Sequence, residues 1–245
     1  MVLLLLLLLS IAVPAGAATV RMAFGDNLPP YILVASSSGI EVDIVKEALA
    51  YRGHVRKPLF MPMGRIPVVF LSGKADAIMM DVGQDMRAAG GSYAEAPVLY
   101  DNVMYTLARR RLSLKKPADL HKLWIMSFVG AAARYPEWLG KLEHTEFYVE
   151  RNNQSVQPQL LALGRYDMVV SDRTIFSYYS KLQERRDPGF HMPPVEAHIL
   201  PAPDARDYRP VFRDARLRDD FNAGLAWLRK SGRYGAIYQM YLDGG

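Results

Sequence analysis

The sequence predicts an α/β protein of two lobes, each a mostly parallel sheet flanked by helices, and three observations support this. The 245 residues are 50% hydrophobic and 22% charged, a balance typical of a globular chain of one or two domains. Apolar runs that suit buried strands follow helical segments, as in parallel sheets covered on both faces. The third observation is an internal repeat, one copy of which lies in each half of the chain.

The repeat covers residues 67–81 and 158–172. In both copies a proline, a glycine, a basic residue, an aspartate, an apolar run and a final aspartate fall in the same register. Each copy predicts a helix that begins at the proline, a glycine at the helix end and a short buried strand. Chance similarity of two helix–turn–strand units is the alternative. Ligands of open α/β sheets bind beyond the carboxyl ends of strands, so the final aspartates, Asp81 and Asp172, are candidate ligand contacts.

The amino-terminal segment predicts an export signal. Leu3–Leu9 is an unbroken leucine run that is too short to span a bilayer, which needs about 20 apolar residues. Small residues at 14–18 follow it and suit cleavage by signal peptidase after Ala17 or Ala18. No Lys or Arg precedes the run, which departs from the usual leader. We expect residues 1–18 to be removed and the remaining chain to be periplasmic, since no later stretch is apolar enough to cross a membrane.

Composition excludes several classes of function. The chain has no cysteine, which excludes disulfide scaffolds, cysteine-ligated metals and thiol catalysis. The net charge of +5 raises the question of nucleic acid, but the basic residues are scattered among acidic ones and form no nucleic-acid motif. A solvated basic surface accounts for the net charge equally well. The five histidines show no ligand spacing, and we expect no metal, no cofactor and no nucleic-acid partner.

Patterning predicts the first-lobe elements in order. They are a strand over 20–24, a helix over 41–52, a strand over 55–60, the repeat copy 67–81 and a strand over 103–107. The helix has an apolar face and ends at Gly53, and the run Arg109–Arg111 marks the solvated exit of the last strand.

The second lobe follows the same logic. Its predicted elements are a short helix over 117–120, a strand over 124–128, a helix through Trp138, a strand over 146–149, the repeat copy 158–172 and a helix over 172–183. Asp172 is well placed to cap that last helix. Prolines between 193 and 203 mark a return connection, and the tail over 217–241 predicts one more helix with an apolar face.

Several motifs, taken together in this order, resemble the family-3 extracellular solute-binding proteins of amino-acid-type ABC importers. The motifs are Pro29–Tyr31, Gly39–Ile44, Leu71–Asp76, Met86–Arg87, Ala96–Tyr100, Gly164–Asp167, Phe221–Leu225, Gly232–Tyr234 and Ile237. The resemblance implies a type II periplasmic-binding-protein clamshell with two hinge strands, near Tyr105 and Ile199. It divides the chain into lobe one, residues 19–107 with 205–245, and lobe two, residues 108–204. It also implies a monomer that binds a small-molecule solute, an amino acid or a related amine or carboxylate, and delivers it to an inner-membrane ABC permease.

The resemblance assigns three ligand contacts. Arg87 matches the arginine that clamps a ligand α-carboxylate, for which a guanidinium fork is suited; the alternative is an exposed loop arginine. Asp172 matches the acceptor of the ligand α-ammonium; the alternative is a helix N-cap without a ligand role, and the two roles can coexist. Tyr31 matches the aromatic wall over the ligand; the alternative is a tyrosine that packs a proline-rich turn.

Two positions depart from the family pattern. Ala131 stands where the family has a hydroxyl residue at the start of a lobe-two helix, so only backbone N–H groups remain there for an anion. Asp81 adds a carboxylate near positions that are small or hydroxylic in the family. That carboxylate favours a ligand with extra positive charge or several donors, or it pairs with Arg87 or Arg65.

Two other functions stay open. An enzyme on the same scaffold, a dehydratase or lyase, would use a cleft carboxylate such as Asp81 or Glu95 as acid or base. The sequence has none of the common catalytic motifs, and we expect no enzymatic activity. A sensor that presents bound solute to a membrane receptor would use the same clamshell as a transporter subunit.

Overall fold

A computed structural model describes residues 16–201 and 208–242, and its strands form two separate five-stranded sheets. Residues 1–15 of the predicted leader lie outside the described residues. The first sheet contains β1 (Thr19–Phe24), β2 (Val55–Phe60), β3 (Ala77–Ile78), β4 (Ser92–Tyr93) and β10 (Val211–Phe212). The second contains β5 (Asn102–Leu107), β6 (Ile125–Phe128), β7 (Tyr148–Arg151), β8 (Met168–Asp172) and β9 (Val195–Ile199).

The helices flank these sheets. They are α1 (Ile40–Ala50), α2 (Ile66–Leu71), α3 (Ala131–Arg134), α4 (Gln157–Ala162), α5 (Arg173–Arg186), α6 (Ala215–Ser231) and α7 (Arg233–Leu242). Within the described ranges, none of them combines the length and apolar character that a membrane crossing requires.

The two sheets have the same design. The strand orders are β2-β1-β3-β10-β4 and β7-β6-β8-β5-β9. In each sheet three strands pair in parallel, the fourth is antiparallel to its neighbours, and the fifth returns to the direction of the first three. The predicted fold class, two mostly parallel sheets flanked by helices, is confirmed.

The pairing of β5 bears on where the chain passes between the lobes. Tyr105 of β5 lies opposite Ala197 of β9 in the interior of the second sheet, so β5 belongs with the second sheet rather than the first. The connections between the sheets are therefore residues 94–101 and 200–210. Of the second connection, residues 202–207, which include the expected lobe boundary at 205, lie outside the described residues.

The first lobe is held together by α1 and α6, which pack on one face of its sheet. Phe212 of β10 and Phe221 of α6 are fully buried there, with ring centroids 5.3 Å apart. Gly224 allows the two helices to touch, because a Cβ at this position would lie 2.0 Å from the Ala48 carbonyl oxygen. The second lobe packs its apolar residues on both faces of its sheet, where Met104 and Val169 are fully buried.

The repeat predicted from sequence folds alike in both lobes. In each copy a helix that contains the proline, α2 or α4, ends before a glycine with positive φ, at 72° for Gly73 and 66° for Gly164. The aspartate three residues on then binds the start of the neighbouring parallel strand. Asp76 Oδ2 accepts from the Arg21 N–H at 2.8 Å, and Asp167 Oδ2 accepts from the Trp124 N–H at 2.8 Å.

Two predicted helices are wrong in extent. Trp138 does not lie in a helix, because α3 ends at Arg134 and Tyr135 leaves the helical region with φ −123° and ψ 59°. Pro136 follows Tyr135, and the residue before a proline disfavours helical geometry. The tail is two helices rather than one, since Gly232 adopts φ 79° and ends α6.

Candidate ligand-binding cleft

The loops that follow the parallel strands of the two sheets meet at one buried contact. Tyr31 lies in the loop after β1, and Asp172 is the last residue of β8. The Tyr31 hydroxyl donates to Asp172 Oδ1 at 3.2 Å, and each residue is only 1% exposed. Two of the predicted ligand contacts, one from each lobe, therefore touch directly beyond the carboxyl ends of the parallel strands.

Asp172 is a helix cap whose two carboxylate oxygens are both engaged. Oδ1 also accepts from the Ile175 N–H at 3.0 Å, as an N-cap does, and Oδ2 accepts from the Asp101 N–H at 2.7 Å. Burial raises the pKa of Asp172 to about 6, although these hydrogen bonds oppose the rise. Asp172 therefore caps α5, which is the alternative role that its position in the sequence allows. A ligand ammonium would have to share these oxygens.

A second buried carboxyl, which the sequence did not single out as a site residue, lies beside this contact. Glu41 of α1 is 1% exposed, and the Tyr100 hydroxyl donates to its Oε2 at 3.0 Å. The ring centroid of Tyr100 lies 4.5 Å from that of Tyr31, with the rings tilted by 52°, so the two carboxyls flank a pair of tyrosines in contact. Burial raises the pKa of Glu41 to about 7.

A sequence signal for Glu41 existed. It stands on the apolar face of α1, four residues before Val45 and seven before Ala48, where a charged side chain breaks the helical pattern. A carboxyl placed on a core-facing stripe needs a partner or a proton.

Asp81 lies three residues beyond β3 rather than at its end. It accepts from the Tyr93 hydroxyl at 2.5 Å and from the Gly83 N–H at 2.9 Å. Asp81 is half-buried and is anchored to the edge strand β4 through Tyr93.

Arg87 lies next to this group, on the rim of the first lobe. Its side chain is 72% exposed, its Nε donates to Asp85 Oδ1 at 2.9 Å, and its guanidinium lies 5.8 Å from the centre of the Tyr93 ring. Arg209 approaches the same ring at 5.1 Å and lines a cavity of about 420 Å³ together with Leu99 and Asn222.

Ala131 is fully buried at the start of α3, and a carboxylate of the chain itself occupies the backbone N–H groups around it. Glu150 Oε2 accepts from the Gly130 N–H at 2.6 Å, and Oε1 accepts from the Ala132 N–H at 2.8 Å. The Tyr148 hydroxyl also donates to Oε1, at 2.8 Å. Burial acts to raise the pKa of Glu150, but these hydrogen bonds outweigh it and the pKa lies below its ordinary value.

The structure thus divides the predicted ligand contacts into three groups. Tyr31 and Asp172 touch each other, Asp81 and Arg87 share Tyr93, and Ala131 lies beside Glu150. In the part of the chain that the structure describes, no three His, Asp or Glu side chains come close enough to hold a metal ion. The arrangement offers carboxylates, hydroxyls and a guanidinium.

Comparison with known proteins identifies the fold. No family model and no curated protein matches the chain. Among solved structures, a histidine kinase sensor domain with similarity to periplasmic binding proteins matches with a TM-score of 0.63 at 20% identity, over 91% of this chain and 96% of its own. An ancestral cationic amino acid solute-binding protein matches with a TM-score of 0.65 at 20% identity, over 91% and 95%.

A third solved structure is an amino acid ABC transporter substrate-binding protein from Streptococcus pneumoniae bound to L-arginine. Its TM-score is 0.62 at 14% identity, over 92% of this chain and 94% of its own. At these identities the likeness establishes the fold, which is that of the type II periplasmic binding proteins.

Proposed function

We propose that this chain is an exported solute-binding protein whose two lobes close on a small polar solute and deliver it to a membrane transporter. The observation that supports this most directly is the buried hydrogen bond between Tyr31 and Asp172, which joins the ligand-facing ends of both sheets. In folds of this kind ligands bind beyond the carboxyl ends of the strands. The named solved structures are a sensor domain and two amino-acid-binding proteins.

The proposed solute is an amino acid or a related amine, bound chiefly by its positive charge. Asp81 and Asp172 supply carboxylates for an ammonium group, and Tyr31 supplies an aromatic wall that also attracts a cation. Arg87, exposed on the rim, supplies a guanidinium for a carboxylate where the solute has one. The backbone beside Ala131 contributes van der Waals contact, because its N–H groups are engaged with Glu150.

Closure would use the two connections between the sheets, of which residues 94–101, 200–201 and 208–210 are described. Rotation about a pair of such connections is a common form of domain closure around ligands. When the lobes approach, water leaves the cleft, and the attraction between a solute ammonium and the carboxylates strengthens as the local dielectric falls.

A sensor is the second candidate, and one observation favours it. A histidine kinase sensor domain has the same fold over 96% of its own length. A sensor and a transporter subunit would bind and close alike, so the distinction lies in the membrane partner and not in the cleft.

A thermal-shift screen of amino acids, the amines derived from them, polyamines and small dicarboxylates tests the proposal. A solute that binds only the folded chain stabilises it by about 2.7 kcal/mol at a hundredfold excess over Kd. We expect amines and cationic amino acids to raise the melting temperature, and small-angle scattering to show compaction with the same solutes. Absence of any shift, or consumption of a solute, would overturn the proposal, the latter in favour of an enzyme.

Calorimetry on variants then locates the site. Arg87→Ala should weaken binding of a carboxylate-bearing solute by about 1 kcal/mol or less, because water screens an ion pair with an exposed arginine, and should leave binding of its decarboxylated amine unaffected. Asp81→Ser should change which solutes bind rather than abolish binding. Equal affinity of wild type and Arg87→Ala for a carboxylate-bearing solute would show that the carboxylate of the solute binds a residue other than Arg87.

A further inference from the structure

The second lobe ends, opposite the cleft, in a concentrated basic surface. Segment 109–122 contains six basic residues and one acidic residue, Asp119. The basic side chains are all exposed; they are Arg109, Arg110, Arg111, Lys115, Lys116 and Lys122, and we call them the basic pole. The excess of positive charge in this one segment equals the net charge of the whole chain, +5.

The position of the basic pole follows from strand direction. Asn102, the first residue of β5, lies opposite Asp172 at the cleft, so β5 runs away from the cleft and ends at Leu107. Asp167, just before β8, forms an ion pair with Arg110 and accepts from the Trp124 N–H. The basic pole therefore lies at the amino ends of β6 and β8, the end of the lobe farthest from the proposed solute site.

Most of this charge is not neutralised locally. Of the six residues, only Arg110 forms an ion pair with another part of residues 16–201 and 208–242. Asp119 accepts from the backbone N–H groups of Lys115 and Lys116, which fixes the loop that bears them. The first lobe differs, because many of its arginines are paired with carboxylates: Arg21, Arg52, Arg87, Arg218, Arg229 and Arg233.

Exposed apolar side chains accompany the basic pole. Trp124 is 46% exposed and Leu163 is 64% exposed at the same end of the lobe. Glu143 and Glu146 precede β7, on the far side of Trp124 from β5, and Glu196 of β9 lies opposite Thr106 near the end of β5. The six basic residues outnumber the acidic ones on the side of β5 and β8. Tryptophan beside lysine and arginine is typical of surfaces that sit at the headgroup level of a bilayer.

We propose that the basic pole docks the second lobe on a membrane surface that contains anionic phospholipid. Clusters of four to eight basic residues attract such surfaces, and each Lys or Arg near the headgroups adds to the binding. The exposed Trp124 and Leu163 favour a lipid surface over an acidic protein or nucleic acid, because they can enter the headgroup boundary. The cleft remains clear of the membrane, and the first lobe stays able to move.

Co-sedimentation of the purified protein with vesicles tests this. We expect binding to phosphatidylcholine vesicles that contain phosphatidylglycerol, no binding to phosphatidylcholine alone, and loss of binding in high salt because charges are then screened. Lys115→Glu/Lys116→Glu/Lys122→Glu should weaken binding roughly tenfold or more. Lys46→Glu/Lys57→Glu/Lys74→Glu, three exposed lysines of the first lobe with the same change in net charge, should retain it.

A second readout follows the aromatic side chain. Tryptophan emission should shift to the blue on anionic vesicles, and Trp124→Phe should remove that shift although Trp138 and Trp227 remain. Equal loss in the two charge variants would overturn the proposal, since net charge alone would then explain binding. Failure of the wild type to bind anionic vesicles would also overturn it and would leave an acidic protein as the partner to seek.

Discussion

The two copies of the repeat place equivalent aspartates in environments that agree at one position and differ at the other. Asp76 and Asp167 do the same work, since each carboxylate accepts the backbone N–H of the neighbouring strand and pairs with an arginine. Asp81 and Asp172, also equivalent in sequence, do not. Asp172 is buried at the end of a five-residue strand, whereas Asp81 lies half-buried beyond a two-residue strand.

Equivalent positions in the repeat therefore need not be equally buried, because the repeat sets where a residue lies along the chain and not how far it lies from solvent. The first aspartate follows the helix-ending glycine by a constant three residues, so its geometry is set locally. The last aspartate depends on how far the strand continues, and that length follows the antiparallel pairing: β8 pairs with β5 over five positions, while β3 pairs with β10 over only two.

Replacing the final aspartates of the repeat, Asp81 and Asp172, with alanine should give the largest difference in unfolding free energy between the two copies. Asp172→Ala removes the cap of α5 and leaves the Asp101 N–H and the Tyr31 hydroxyl without their acceptor. We expect a loss of about 3–4 kcal/mol of unfolding free energy. Urea unfolding should be measured near pH 5, which is below the raised pKa of Asp172, so that the cost of ionising this buried carboxyl does not offset the loss. Asp81→Ala should cost about 1 kcal/mol or less, because water reaches its partners.

Asp172→Asn is the matched control, since asparagine also caps helices and should recover most of the loss. Equal costs for the two alanine variants would mean that the repeat copies are equivalent at this position after all.

The next largest effect concerns the buried carboxyl of the first lobe. Burial raises the pKa of Glu41 from 4.5 to about 7, so between these values the folded chain keeps a proton that the unfolded chain has lost. The contribution of Glu41 to stability therefore falls as pH rises through that window, by about 3 kcal/mol since one pKa unit is worth about 1.4 kcal/mol. In urea unfolding series, Glu41→Gln should remove the part of the fall due to Glu41 and leave the part between about pH 4 and 6 that comes from Asp172, whose pKa is raised to about 6.

Tyr100→Phe separates the effect of the Tyr100 hydrogen bond on the pKa of Glu41 from the effect of burial. The Tyr100 hydroxyl lowers the pKa of Glu41 by its hydrogen bond, so its removal should extend the falling window to higher pH. Identical pH dependence of wild type and Glu41→Gln between pH 6 and 7 would contradict a protonated Glu41.

The fold class and most elements could be predicted from sequence, whereas several side-chain contacts at the candidate site could not. Strand β2 and the start of α5 after Asp172 appear as expected, because periodicity and caps are local signals. Glu41 and Tyr100 could not be paired from sequence, since they are 59 residues apart and meet only when the connection at 94–101 passes α1. Glu150 was missed for the same reason, because its partners lie on the neighbouring strand's loop.

The first aspartates of the repeat should behave as equals. Asp76→Ala and Asp167→Ala each leave a backbone N–H in or just before the neighbouring strand, that of Arg21 or Trp124, without its side-chain acceptor, and each breaks an arginine pair. We expect each to cost about 2 kcal/mol of unfolding free energy, and the two costs to agree within about 1 kcal/mol. A difference of several kcal/mol would show that one lobe depends on this link and the other does not.

The smallest predicted effect concerns how each lobe satisfies the first N–H groups of the helix that follows its first parallel strand in the chain, α1 after β1 and α3 after β6. In the first lobe the N–H groups of Ile40 and Glu41 donate to backbone carbonyls, those of Pro30 and Tyr31. In the second lobe they donate to the Glu150 side chain instead, and a side chain can be removed without moving the backbone. Glu150→Ala should therefore cost about 1 kcal/mol, because the freed N–H groups are close enough to the surface to find water.

Chemical rescue distinguishes that loss from a simple packing defect. Since Glu150→Ala leaves backbone donors facing the cleft, added acetate should partly restore its melting temperature and should leave the wild type unchanged. Glu150→Gln, which keeps an acceptor of similar size, should lose less stability and respond less to acetate. If acetate stabilises the wild type and Glu150→Ala equally, the ion binds elsewhere, and the two lobes do not differ in the way that their hydrogen bonds indicate.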